Sequence, residues 1–226
     1  MGWARWMMAG MLVWGAGRPD AQAAVRINEV LADPSADANR DGTTHTTQDE
    51  FIELVNTAAE PVFLEQWSLS DLVQVRHRFA APQVIPGFGF FVVFGGGAPQ
   101  GFANASIASS GSLGLNNAGD TVTLRDAGTL LVDAVTYGSE GGRNSSLTRS
   151  PDGAGPWTLH QGLNGLPFSP GTTVDGRARL EPTPHLPPPP LHTDATGGPV
   201  LPEPSSLVLV GLGGLGLALR RRLRGR

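Results

Sequence analysis

The chain has 226 residues, 16 basic side chains against 20 acidic ones, a formal net charge of −4 and no cysteine. Without cysteine there are no disulfides, no thiolate metal sites and no thiol nucleophile. Without a basic surplus there is no general nucleic-acid surface, which needs a positive stripe to neutralise phosphates.

At the N-terminus Arg5 supplies a positive charge and Trp6 to Gly17 an apolar stretch. Ala21-Gln22-Ala23 follows with the small-x-small pattern that a signal peptidase reads. Residues 1–23 therefore read as a signal peptide, with Ala21 and Ala23 marking the cleavage site. The mature chain is expected to begin at Ala24 or Val25.

Short β-rich runs then recur between glycine, proline and Asx clusters. They are Val25–Leu31, Glu50–Asn56, Pro61–Leu64, Trp67–Leu69, Val73–Phe79, Phe88–Phe94, Thr121–Arg125, Leu130–Tyr137 and Ser146–Arg149. No segment keeps a helical period. In Gln74–Phe79 strict alternation puts Val75, His77 and Phe79 on one face and Arg76 and Arg78 on the other. So many short strands predict an all-β fold of two packed sheets, with a closed barrel as the alternative. Trp67 and Trp157 are expected to anchor the core, and Asn117-Ala118-Gly119-Asp120 to form a turn. Glu50 and Glu53 stand three apart, hence on opposite faces of a strand, which argues against a paired-carboxylate acid/base site.

Between the first two runs lies the one constellation with metal chemistry. Asp37, Asn39 and Asp41 with Gly42 reproduce the first half of an EF-hand-type calcium loop, where oxygen ligands two residues apart wrap a hard cation. Thr43 would lend its carbonyl. The twelfth position is Gln48 rather than a bidentate glutamate, so Asp49 or Glu50 would have to close the shell. The competing reading is an Asx-rich surface loop built from turn formers. His45 is a poor calcium ligand and is expected to face solvent.

Four blocks stand in succession: Glu50-Phe51-Ile52-Glu53-Leu54-Val55-Asn56, Leu64 to Asp71 with Trp67-Ser68-Leu69-Ser70, Leu115 to Leu124 with Gly119-Asp120, and Val132 to Gly138. Ser145-Ser146-Leu147-Thr148-Arg149, Trp157 and Ser169-Pro170-Gly171 follow. In this order they resemble the lamin tail domain, from Val25 to Thr172. The resemblance implies an immunoglobulin-like β-sandwich, used in bacteria within exported and surface-associated proteins. Where that family closes S-P-G-x-x-N, this chain continues Thr172-Thr173-Val174.

The sandwich is expected to span residues 24–175 and a proline-rich linker residues 176–201. Pro187-Pro188-Pro189-Pro190 marks the linker as a polyproline spacer, able to reach about 75 Å. Residues 202–226 carry Pro202-Glu203-Pro204, an uncharged run from Leu207 to Leu219, and an arginine cluster from Arg220 to Arg226. Thirteen residues reach only about 20 Å against a hydrocarbon core of about 30 Å, and four glycines weaken the helix. The arginines stay cytoplasmic and halt translocation. This tripartite tail resembles the PEP-CTERM sorting signal, which implies recognition, and cleavage near the triplet, by an exosortase-type protease. The short hydrophobic helix would then be a transient membrane anchor. Gly211-x-Gly213-x-x-Gly216 matches a dinucleotide fingerprint by letter only, with no strand before it.

With residues 1–23 and the arginine-ended stretch after Glu203 removed, the exported part keeps nine arginines against nineteen acids, or −10. That charge favours solubility and cation binding and disfavours nucleic acid. No G-x-S-x-G elbow, H-E-x-x-H or Walker loop is present, and the five histidines are scattered. The sequence therefore predicts a non-catalytic protein of the envelope, cell surface or extracellular matrix. Its partners are a signal peptidase, an exosortase-type protease and extracellular polysaccharide or matrix proteins. The alternative is a calcium-dependent accessory domain or hydrolase acting on matrix carbohydrate or phosphoester.

Overall fold

A computed structural model describes residues 24–181. The expected signal peptide with Ala21 and Ala23, the expected linker beyond Glu181 and the expected tail with Pro202, Glu203, Pro204 and its short helix lie outside the described residues.

Two sheets face each other across one core. Strands β1 (Val25–Leu31), β2 (Phe51–Asn56), β7 (Phe90–Phe94), β8 (Ala105–Ile107), β11 (Leu147–Arg149) and β12 (Trp157–Leu159) form the larger, in the order β12-β11-β1-β2-β7-β8. The smaller holds β4 (Ser68–Ser70), β5 (Val75–Arg78), β9 (Asp120–Arg125) and β10 (Leu131–Tyr137), in the order β10-β9-β4-β5. A two-stranded ribbon pairs β3 (Val62–Phe63) with β6 (Val84–Ile85). Neither large sheet closes on itself, so the fold is the all-β, immunoglobulin-like sandwich rather than a barrel.

Alternation along each strand divides the burial. In β2, Ile52 and Leu54 face inward; in β7, Phe91 and Val93 do the same, meeting Leu69, Val122, Leu124 and Val135 of the smaller sheet. The other face of the larger sheet is not solvent. Leu31, Phe51, Val92 and Phe94 form a second cluster there with Phe102 and Phe168 packed on it. Phe51 meets both Phe94 and Phe168 edge-on, with ring centroids 5.8 and 6.2 Å apart. Every residue of β2 and β7 is consequently buried.

The edge strands explain what the sequence reading missed. Strands β6, β8 and β12 have two or three residues each, too few to show a period. Ala105–Ile107, which the sequence reading did not include among its strands, adds in parallel to β7. In β5, His77 is buried, as is Phe79 just beyond it, but Val75 is exposed because it sits where the strand runs off the sheet edge. Trp67 is buried and Trp157 half-buried against the core, as anchors should be. The packed chain runs past the expected boundary at 175: Leu180 N–H donates to the Phe88 carbonyl at 2.8 Å.

A bulge positions the site. Pairing of β1 with β2 shifts register between Ile27 and Glu29, leaving Asn28 as the extra residue and setting Glu29 opposite Glu53. Two successive polar side chains, Asn28 and Glu29, thereby reach the outer face of the larger sheet.

Candidate functional site

The loop after β1 gathers Asp37, Asn39, Asp41 and Asp49 into one network. Asp49 is fully buried and accepts Asn39 N–H at 2.9 Å and His45 N–H at 2.7 Å. Asp37 accepts the N–H groups of Asp41 and Gly42, Asn39 Oδ1 that of Asp41, and Asp41 those of Thr43 and Ala98. These are the side-chain-to-backbone bonds that Asx turns make. Thr43 and His45 are exposed, and His45 Nδ1 accepts from Thr47 and Gln48 N–H. The loop folds onto the end of β7 at Gly97, which takes φ +75 and where a Cβ would collide with Asn39 and Asp41. Among the described residues no group of three or more His, Asp or Glu side chains is placed to hold a metal ion.

Glu50 and Glu53 do part, as their spacing requires. Glu50 Oε2 accepts Gly114 N–H at 2.9 Å and Leu115 N–H at 3.4 Å, and burial pushes its carboxyl up to about 7. Glu53 points to the other face and meets Glu29.

Both Glu29 and Glu53 are fully buried, and both are held by the chain that follows β11 and β12. Glu29 Oε1 accepts the Ser146 hydroxyl at 2.5 Å and Ser169 N–H at 2.9 Å, while Oε2 accepts the Ser169 hydroxyl at 2.9 Å. Glu53 Oε1 accepts Asn28 Nδ2 at 2.9 Å and Oε2 accepts Gly171 N–H at 2.6 Å. Asn28 also donates to Asp152 at 3.0 Å and accepts Gly153 N–H at 2.7 Å. Burial raises both glutamates above the ordinary carboxylate value, and the charge of Glu29 raises Glu53 further. His160, also fully buried, donates Nδ1–H to the Leu166 carbonyl at 2.9 Å, and its Nε2 has no partner. Sequence reasoning singled out Ser169-Pro170-Gly171 but not Asn28, Glu29, Asp152 or His160. The available signal was an acid inside an otherwise apolar strand, which demands a partner somewhere.

The clasp has an outer side. Pro170 lines two clefts, one of 410 Å³ with Phe90, Phe102, Arg40 and Arg179, the other of 600 Å³ with Leu163, Leu166 and Phe168. Gly171 takes φ +82, and a Cβ there would press to 3.2 Å from the Phe102 ring.

Compared with known families, residues 18–139 match the Lamin Tail Domain. The chain belongs to the lamin tail domain family. The lamin tail match ends before β11, yet β11 pairs with β1 and β12 with β11, so this lamin tail sandwich is completed by residues after 139. Ser169-Pro170-Gly171, which seals the glutamate pair, also lies beyond the match. Residues 200–222 match the PEP-CTERM protein-sorting motif. A lamin tail domain carrying that motif is an exported protein directed to the cell surface or beyond, which an exosortase recognises for processing. Both matched elements are of structural and sorting types rather than enzymatic ones. No curated protein matches the chain. Among the described residues no helix is long and apolar enough to cross a membrane.

Proposed function

We propose that the lamin tail sandwich is a non-catalytic binding and structural domain of the envelope or extracellular matrix, carried there on the sorting tail. The observation that carries this reading is the make-up of the 410 Å³ cleft. Its lining has aromatic, proline, asparagine, threonine and arginine side chains, but no carboxylate, imidazole or other general base. The domain's paired acids, Glu29 and Glu53, lie under the clasp and are used up in holding it. A signal peptidase would release residues 1–23, and an exosortase-type protease would cut near Pro202-Glu203-Pro204, leaving the sandwich on its proline-rich spacer to meet matrix polysaccharide or protein.

The test replaces Pro202, Glu203 and Pro204 by alanine in an exosortase-bearing host. The variant should stay in the membrane fraction with its tail mass retained, while the parent reaches the surface or medium without it. A variant that keeps the parent's mass and location refutes the sorting half of the proposal. Turnover of chromogenic esters or glycosides by the parent refutes the non-catalytic half.

A further inference from the structure

Two exposed arginines flank the smaller cleft, and Arg40 is the more firmly placed. Arg40 sits at φ +62, a backbone conformation that non-glycine residues seldom adopt, and its guanidinium lies 4.4 Å from the centroid of the Phe102 ring. The ring is itself fixed, 4.8 Å from Phe94. Arg179 donates Nη1 to the Gly87 carbonyl at 3.4 Å. Among the described residues neither guanidinium has a carboxylate within ion-pair distance, although the exported part carries about twice as many acids as arginines. Among the described residues three arginines do pair with acids, Arg76 with Asp71, Arg149 with Asp133 and Arg177 with Asp175 and Glu181, while Arg40 and Arg179 are the unpaired ones that line this cleft. Two cations without an ion-pair partner among the described residues therefore border a cavity large enough for a small oligosaccharide.

The walls between them are largely apolar. Pro86 and Phe102, both half-buried, present apolar surface along which the C–H side of a pyranose ring can lie, Phe90 and Pro170 are buried in the wall, and Asn104 adds an amide whose Nδ2 already donates to the Phe90 carbonyl. Guanidinium forks match carboxylates with two parallel hydrogen bonds, a geometry that an ammonium or a neutral amide does not supply. We infer that this cleft binds a carboxylate-bearing saccharide, such as a uronate unit of an acidic exopolysaccharide, with Arg40 and Arg179 taking the carboxylate groups. The inference rests on the binding role proposed above and names its ligand class. The buried glutamate pair enters indirectly, because it fixes Ser169 and Gly171 and so holds Pro170 in the wall.

The full chain, purified in detergent, is titrated by calorimetry at low salt with trigalacturonate and with uncharged cellotriose. Trigalacturonate should bind saturably and more weakly as salt rises, and cellotriose should bind at least about tenfold less tightly. Arg40→Gln and Arg179→Gln should each weaken trigalacturonate about fivefold to tenfold, and the double variant should abolish binding without moving the melting temperature. Equal binding of the two sugars, full binding by the double variant, or no binding by the parent overturns the inference. The sugar comparison needs no variant, so a misfolded variant cannot mask the result. Fractionation of the producing host separates the two layers. Surface delivery without uronate binding sinks this inference and leaves the sorting role standing, whereas failure of delivery sinks the sorting role whatever the sugars do.

Discussion

Glu50 and His77 are each buried with a displaced titration, and the displacements pull in opposite directions. Burial raises Glu50 from 4.5 to about 7, so the folded chain holds a proton that the unfolded chain releases. Its contribution is complete below about 4.5 and is lost as pH rises through 7. Burial lowers His77 from 6.5 to about 4, so the folded chain refuses a proton that the unfolded chain takes. That contribution is complete above 6.5 and is lost as pH falls through 4. His77 Nδ1 accepts Ser109 N–H at 3.2 Å, which suits the neutral ring. Glu50→Gln can keep the acceptor facing Gly114 and Leu115 while removing the titration. The variant should match the parent near pH 4 and exceed it increasingly through pH 7, by about 3 kcal/mol at most from the displacement of Glu50 at about 1.4 kcal/mol per pH unit. Urea denaturation across that range reads it directly, and a difference independent of pH would refute the account. The spacing of Glu50 and Glu53 showed from sequence that they could not act together. That both are buried did not show, because burial depends on what lies over each face.

Two structural elements rest on small sets of hydrogen bonds. In the bulge of β1, Asn28 joins Glu53, Asp152 and the Gly153 N–H. Asn28→Ala leaves two buried groups, the Glu53 carboxyl and the Gly153 N–H, and the half-buried Asp152 short of a partner and should cost about 3 kcal/mol, measured by chemical denaturation. A loss below about 1 kcal/mol would mean that water or a shifted loop replaces the amide. In the Asx loop, backbone N–H groups already hold every side-chain oxygen of Asp37, Asn39, Asp41 and Asp49. The loop therefore has a fixed shape without an ion. If these residues and Thr43 ligate calcium, an ion concentration a hundred times the dissociation constant adds about 2.7 kcal/mol and raises the melting temperature over that with chelator. An unchanged melting temperature at millimolar calcium removes all five from consideration as ligands. The spacing of the acids was plain in the sequence. That Gly97, far along the chain, is their packing partner was not.

For the whole molecule, the decisive feature is how late in the chain the sandwich is finished. The larger sheet takes β1 and β2 from one end and β11 and β12 from the other, and the clasp over Glu29 and Glu53 comes later still. A version ending at residue 139, where the family match stops, would expose an edge of β1 and two uncapped glutamates. It should show no cooperative thermal transition by circular dichroism, whereas a version spanning residues 24–181 should melt in one step. Cooperative melting of the shorter version would show that β11, β12 and the clasp are appendages.

The local pattern by itself determined the longer strands, the lamin tail blocks and the sorting motif near the C-terminus, because each is written in consecutive residues whose period or order is visible. Val25–Leu31 is one such case, read within the bounds that the strand adopts. The sandwich closure, the clasp and the arginine-flanked cleft were decided only by tertiary structure. Ser169 reaches Glu29 across 140 positions and Gly171 reaches Glu53 across 118. No sequence window spans such a separation. The partner of a buried charge is chosen by which segments the folded sheets bring together, since an acid in a low-dielectric core must find donors wherever the fold places them.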